Sequence, residues 1–534
     1  MQWNNTFQRG KNRLLRTLLS AFIVGGGQVY ARRFWAGLVL AIIFYGSIII
    51  MKIIWAGMNI AFWALVTGWL VVWLFNIFDA YKGPRYAKPP CEKSCPAGIA
   101  PWIYVHQIAT KANWEYPFIP FFKTLGLICP APCEEKCTRQ AIDEPVAIRA
   151  LKSGVEIGKP NRIQTRRKKH IAVIGAGPCG LTLAYSLTNK GYNVTVYEKE
   201  KKPGGVLGTY IPEFRLPSSV LHTEIQVLLN AGFELKCGVE IGKDLSLDEL
   251  LNNNDLIFIA TGAWQLVKLG IPGENNGMVG LEILRRIKNG EKFNLGRVGV
   301  VGGGNAAFDV ARSLKRFGNE VKIYYRRRIE DMPAEHENRF AAQEEGIEII
   351  PLVTPAAIVK NSVIMARTKC AEGRKGVLEV IKDSEFDVKI DNIVMAIGQK
   401  PDTNFLTNFV KIDELGRIQT KNGMTSHSKI FAGGDAVLGA KTIAHAVGHG
   451  LSIAEQIDYH IRKIPGLFRS LLKDVYYPSE IKLFKFNNKS RLKILRREPA
   501  KRLSDFKPVE QSVARENLIQ EASRCLTCPL RYKP

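Results

Sequence analysis

Two glycine turns decide most of what this chain can become. In "HIAVIGAGPCGLTLAYSLTNKGYNVTVYEKE" an apolar strand runs into Gly175, Gly177 and Gly180, a helix opens at Pro178, and a second strand ends at Glu198 and Lys199. Gly175 allows the tight turn and Gly177 lets a pyrophosphate approach the backbone. Gly180 permits close packing of helix on strand, while the helix N-terminus stabilises phosphate charge. Glu198 is expected to accept hydrogen bonds from ribose hydroxyls. Glycines alone would be weak, but strand, helix and acid at this spacing are specific. Cys179, inside the turn, reads as a small packing residue.

The pattern recurs in "RVGVVGGGNAAFDVARSLKRFGNEVKIYYRRR", where Gly302, Gly304 and Ala307 take the same places and Gly303, Asn305 and Ala306 fill the turn. Glu198 lies 23 residues after Gly175, and the same offset from Gly302 reaches Tyr325, followed by Arg326 and Arg327. A missing carboxylate with two guanidiniums beside it suits a 2′-phosphate, because Arg binds phosphate in a bidentate manner. The expectation is FAD on the first turn and NADPH, rather than NADH, on the second; a solvated basic strand end is the plain alternative. "ATGAW" and "AIGQKPD" each end an apolar run in a Gly turn, as crossovers between nested domains do. The fold class expected is therefore α/β, with two nested dinucleotide-binding, Rossmann-like domains.

The amino-terminal region points elsewhere. Residues 36–55 carry Lys52 as their one charge and residues 59–78 carry none, so each run is long enough to span ~30 Å of hydrocarbon as a helix. Trp35 and Trp55 edge the first run, and basic residues from Arg9 to Arg33 and from Lys82 to Lys88 flank the pair. A transmembrane helical hairpin with both ends in the cytoplasm follows, and with it a multi-pass cytoplasmic-membrane localisation. The net charge of +26 suits an anionic partner such as a membrane face or an acidic electron carrier. Nucleic acid is not expected as a partner, since no reading module is present.

Seven of the ten cysteines fall into tight groups: Cys91 and Cys95 in "CEKSC", Cys129, Cys133 and Cys137 in "CPAPCEEKC", and Cys525 and Cys528 in "CLTC". Thiolates so spaced converge on a metal centre, iron-sulfur or zinc. Disulfides compete, but a cytoplasmic chain disfavours them. His445 and His449 are four apart and read as packing residues without a third ligand.

From Cys91 onward the chain resembles the small subunit of bacterial NADPH-dependent glutamate synthase and its FAD/iron-sulfur relatives, including the amino-terminal half of dihydropyrimidine dehydrogenase. The resemblance rests on "CEKSCPAGI", "ICPAPCEEKCT", "EPVAIRALK", "GAGPCGL", "KPGGVLGTYIPEFRLP", "GGGNAAFDVAR", "YYRRR" and "FAGGDA". It implies hydride transfer from NADPH to FAD, then single electrons through two 4Fe-4S clusters to a partner. It adds Gly205, Arg215, Gly434, Asp435 and Thr442 to the cofactor-binding set, with Asp435 on the ribityl chain. By analogy Cys91, Cys137, Cys525 and Cys528 hold one cluster, and Cys95, Cys129 and Cys133 the other. At the eighth position relatives often use Glu or Gln, where this sequence has Lys152, a poor ligand; Glu144, a neighbouring residue or water are the substitutes left open.

The implied organisation is a basic segment (1–33), the hairpin (34–80), a helical 4Fe-4S domain (88–165), FAD domain parts (168–290 and 401–465) around an NADPH domain (291–400), and a tail (466–534) returning to the iron-sulfur domain. Acceptors expected are a ferredoxin or a glutamate synthase large-subunit-like protein. Because few residues separate Asp79 from Cys91, membrane quinone and membrane lipid join them. A thiol-disulfide reductase, a quinone reductase and a non-catalytic membrane scaffold are the rival functions.

Overall fold

The computed structural model describes residues 42, 45–46, 66–74, 88–111, 118–155, 167–359, 362–370, 377–464 and 488–528. They divide into a unit of 1–88, 466–475 and 528–534 and a unit of 89–465 and 476–527. In the first, residues 66–74 are helical. Here the membrane expectation is corrected. A bilayer core needs ~20 apolar helical residues, and among the described residues no helix is long and apolar enough to cross a membrane. The rest of 34–80, like 1–33, lies outside the described residues. Localisation to the cytoplasmic membrane, and with it the lipid and quinone partners, therefore finds no support among the described residues.

The second unit opens with short helices: α1 (Pro90–Lys93), α2 (Pro101–Thr110), α3 (Phe122–Ile128), α4 (Pro132–Glu135) and α5 (Ile148–Leu151). Prolines start α1, α2 and α4, where the missing N–H removes nothing the helix would have used. From Pro101 to Ile108 every residue of α2 is buried, which makes it the centre of this segment rather than a surface helix.

Two parallel sheets follow. The chain lays down β1 (His170–Ile174), α6 (Pro178–Thr188), β2 (Asn193–Glu198), α7 (Ser218–Leu229), β3 (Glu234–Cys237) and β4 (Leu256–Ile259). It then builds β5 (Met278–Val279), β6 (Arg297–Val301), α8 (Asn305–Arg316), β7 (Glu320–Tyr325) and β8 (Glu348–Pro351). An antiparallel group, β9 (Val353–Val359), β10 (Ser362–Cys370), β11 (Leu378–Val380) and β12 (Phe386–Val388), precedes β13 (Asn392–Met395). Only then comes β14 (Ile430–Ala432), followed by α9 (Ile443–Ile461) and, near the end, α10 (Arg515–Ala522).

The first sheet has the order β14-β4-β1-β2-β3 and the second β5-β13-β6-β7-β8, all parallel. The second is thus completed inside an interruption of the first. β4, "LIFI", is buried throughout and β1 is buried beyond His170, as strands covered on both faces must be.

Helix α9 ties the first sheet to the cysteine-bearing segment. A Cβ at Gly450 would stand 2.6 Å from the Cys179 carbonyl oxygen of α6, and one at Gly448 would stand 1.9 Å from the Pro96 oxygen and 2.8 Å from its carbon. Backbone meets backbone on both sides, and neither neighbour is a side chain that can swing away. Gly448→Ala is therefore expected to cost about 1–3 kcal/mol, read as a lowered melting temperature; a melt identical to the parent protein would contradict the seam.

Candidate functional site

A cavity of about 1130 Å³ opens at the carboxyl ends of both parallel sheets, where Ile174, Val301, Tyr325 and Met395 end their strands. The first fold lines it with Gly175, Gly177, Pro178, Glu198, Lys199, Gly205, Arg215, Gly434, Asp435 and Thr442. The second contributes Gly302, Gly303, Gly304, Asn305, Ala306, Arg326 and Arg327. Gly180 is not part of the lining; it lies beneath the turn, where a Cβ would be 2.0 Å from the Gly175 oxygen.

The turns fit dinucleotides. Gly175 and Gly302 have φ of +104° and +146°, and a Cβ on either would strike the carbonyl oxygen of Ala260 or Ala396 at 2.4 or 2.3 Å. At Gly177 and Gly304 the space a Cβ would take is open, which is the room a phosphate needs against backbone N–H groups. The Thr261 hydroxyl lines the same cavity, buried and with no hydrogen-bond partner among the described residues, so a bound cofactor can satisfy it.

Charges are placed with care. Glu198 accepts backbone N–H groups of Ala176 at 2.7 Å and Glu200 at 3.0 Å, each oxygen keeping a second lone pair. Burial pushes its carboxyl up, against those two hydrogen bonds. Asp435 is half-buried and accepts the Lys441 N–H at 3.3 Å, and its partial burial lifts its carboxyl to about 7. Arg328 is spent on Asp331 at 3.0 Å, whereas no partner engages the exposed Arg326 guanidinium among the described residues. The backbone beneath is pinned, since the Thr368 hydroxyl donates to the Arg326 carbonyl at 2.8 Å.

Arg215 plays a different part. It reaches the cavity, but its guanidinium is held by Asp309 at 2.9 Å and Glu335 at 2.8 Å, residues of the second fold. His445 and His449 also separate: the first bonds the Thr442 hydroxyl at 2.8 Å, while Nδ1 of the second accepts the Gly434 N–H at 3.0 Å. Sequence reasoning missed Thr261, the Tyr210 and Trp264 rings that form a wall beside the expected Lys199, and Ile128. "ATGAW" held the signal for the first two; nothing in the sequence marked Ile128.

The cysteines form the second site. Cys129 and Cys133 are buried in the core that contains α2, and Cys91, Cys95, Cys137 and Cys525 pack against it. No disulfide joins any of the ten. Two turns match: Ala131 and Thr527 adopt left-handed φ of 53° and 51°, and each donates its N–H, at 3.4 Å, to the sulfur two residues back, Cys129 and Cys525. Turns of this kind aim backbone dipoles at anionic sulfur.

The tail is seated by buried arginines. Arg524 donates to Glu521 and Asp143, both at 2.9 Å, and Arg139 donates to the Arg524 carbonyl at 3.0 Å. Glu521 in turn accepts the Ala147 N–H at 2.8 Å, and Arg149 pairs with Glu510 at 2.7 Å. Cys528 belongs to the first unit. Among the described residues no three His, Cys, Asp or Glu side chains close on a single-ion site. Burial raises the Cys129 and Cys133 thiols, opposed chiefly by the nearby Lys152 ammonium, and both sense Cys95. The thiol set fits thiolate ligation of iron; Lys152, an ammonium without a lone pair, does not.

The profile of the pyridine nucleotide-disulphide oxidoreductase family matches residues 169–450. The chain is 32% identical over 506 residues to the NADP(+)-dependent formate dehydrogenase subunit beta of Moorella thermoacetica, covering 83% of this chain and 71% of that protein. It is 32% identical over 393 residues to the NAD-dependent dihydropyrimidine dehydrogenase subunit PreT of Escherichia coli O157:H7, covering 70% and 91%. Over 417 residues it is 30% identical to the glutamate synthase [NADPH] small chain of Escherichia coli (strain K12), covering 69% and 88%.

Because the Asp435 carboxyl sits higher in the folded protein than its ordinary value of 3.8, the proton it takes up on folding adds stability that is complete below about pH 4 and lost as pH rises through about 7. Apoprotein should therefore melt at lower temperature at pH 8 than at pH 5, and Asp435→Asn should reduce that difference. An unchanged pH dependence in the variant would refute this.

Proposed function

This chain belongs to the pyridine nucleotide-disulphide oxidoreductase family and is an NAD(P)H-dependent oxidoreductase, and on that premise we propose that it draws reducing equivalents from NADPH and delivers them to a separate electron-acceptor protein, with FAD and two 4Fe-4S clusters as its cofactors. One observation carries the reading. Ile128 lines the nucleotide cavity and the next residue is Cys129, so the dinucleotide site and the cysteine site touch through a single peptide unit.

In this reading Gly175, Gly177 and Gly205 would hold FAD, which would supply the step from two-electron to one-electron chemistry, and Glu198 and Asp435 would accept hydrogen bonds from its hydroxyls. Gly302, Gly304 and Asn305 receive the pyrophosphate of NADPH, and Arg326 and Arg327 its 2′-phosphate. Cys91, Cys137, Cys525 and Cys528 hold one cluster and Cys95, Cys129 and Cys133 the other. The domain limits proposed are 88–165 for the iron-sulfur part, 168–290 and 401–465 for FAD, 291–400 for NADPH, and 466–534 for the returning tail.

Relatives named as a subunit beta, a subunit PreT and a small chain support an acceptor on another polypeptide. Disulfide reduction, the rival within the family, needs two thiols beside the flavin. Cys179 is the one cysteine lining the cavity among the described residues, while Cys237 and Cys370 lie on β3 and β10.

Protein prepared without oxygen is expected to be brown, with iron, acid-labile sulfide and FAD, and to bleach on adding NADPH; a yellow preparation free of iron would overturn the proposal. Cys525→Ser should lose about half the iron and keep its flavin, and full iron content would remove the tail from the ligand set. Arg326→Ala should raise KM for NADPH about tenfold with little change for NADH. Equal effects on both nucleotides would dismiss the 2′-phosphate role.

A further inference from the structure

Lys152 stands where a ligand was expected, and its surroundings define what it does instead. It is 5% exposed. Its methylene stem lies along α3, where a Cβ on Gly126 would be 3.2 Å from the Lys152 Cβ and 3.9 Å from its Cδ. Gly126 lies in the last turn of that helix, and Cys129 is the extended residue that follows its end. The ammonium hangs 5.8 Å from the centroid of the Phe122 ring and acts on the Cys129 and Cys133 thiols.

No hydrogen bond or carboxylate engages that ammonium among the described residues, and the acids nearby are committed elsewhere. Glu134 accepts the Arg149 N–H at 2.7 Å and pairs with Arg491; Glu224 accepts the Thr124 hydroxyl at 2.6 Å and the Lys123 N–H at 2.7 Å. Lys123, the neighbouring cation, is itself occupied by the carbonyls of Lys152, Ser153 and Val155. A buried ammonium faced only by a ring and thiols is strongly unfavourable unless an anion answers it. Iron-sulfur clusters held by thiolates carry net negative charge, and their potentials follow the local charge.

We propose that Lys152 is the counter-charge of the iron-sulfur site built on Cys95, Cys129 and Cys133, making no bond to iron and favouring the reduced cluster electrostatically. The inference rests on the reading of those cysteines as cluster ligands. An electron added there increases the negative charge beside the ammonium, so the cation raises that cluster's reduction potential relative to a neutral residue at the same place.

The test is a redox titration of anaerobically prepared full-length protein followed by electron paramagnetic resonance, the relevant signal being the one that disappears in Cys133→Ser. Lys152→Met should move that midpoint to more negative potential while iron content, the other cluster and the flavin midpoint stay as they were. Lys152→Arg, which keeps the charge, should stay near the parent midpoint. If Lys152→Met and Lys152→Gln both lose the cluster while Lys152→Arg retains it, the same need for charge is met. An unmoved midpoint in Lys152→Met, an equal shift in Lys152→Arg, or nitrogen coupling that links the lysine to iron would overturn the proposal. Parent protein without iron would instead defeat the ligand reading itself, and is told apart by that analysis alone.

Discussion

The contact between the backbone of Gly448 and that of Pro96 sets the geometry on which everything else depends. Helix α9 begins at the nucleotide cavity, at Thr442 and Ile443, and within two turns is pressed against the residue that follows Cys95. On its other side Gly450 lies on the Cys179 carbonyl, in the helix that starts at the phosphate turn. One helix without side chains at two positions thus holds the cofactor turn and the cysteine loop a helix width apart. A seam that admits no Cβ fixes that separation by packing alone.

A second layer of organisation is ionic and buried. Arg215, from the first fold, is gripped by Asp309 and Glu335 of the second, with Asn338 also donating to Asp309 at 3.1 Å. Arg312 and Arg316 share Glu345, all three buried, with both guanidiniums over the Phe214 ring. Arg524 and Arg139, each 1% exposed, close the tail onto the cysteine segment. Buried pairs recover little net stability once desolvation is counted, yet breaking one strands a charge. They join the nucleotide folds and the tail at fixed points, and removing one partner of any pair would leave a buried charge unanswered.

The tail shows how far such pairing reaches. Its Arg502 pairs with Glu344, its Phe506 packs on Phe214 and Phe317, and its Val509 N–H donates to the Phe214 carbonyl at 3.1 Å before α10 settles against the cysteine segment. Cys525 therefore arrives at its turn as part of the folded body, and the left-handed Thr527 gives its sulfur the same N–H that Ala131 gives Cys129. Two segments far apart in the chain present thiols in the same local way.

What the sequence determined by itself was local chemistry. Glycines at fixed offsets, Glu198 after the first turn and Arg326 and Arg327 after the second, and cysteines in short runs are patterns that a few neighbouring residues create, so they survive being read as text. Long apolar runs set an expectation of spanning helices that no helix among the described residues meets. Tertiary structure alone decided that Ile128 would border the cavity beside Cys129, that Arg215 would reach the cavity while gripped by two carboxylates of the second fold, and that Lys152 would be buried with no carboxylate on its ammonium among the described residues. Each of those depends on which surfaces meet across long separations, and that is fixed by packing and desolvation, which no spacing along the chain encodes.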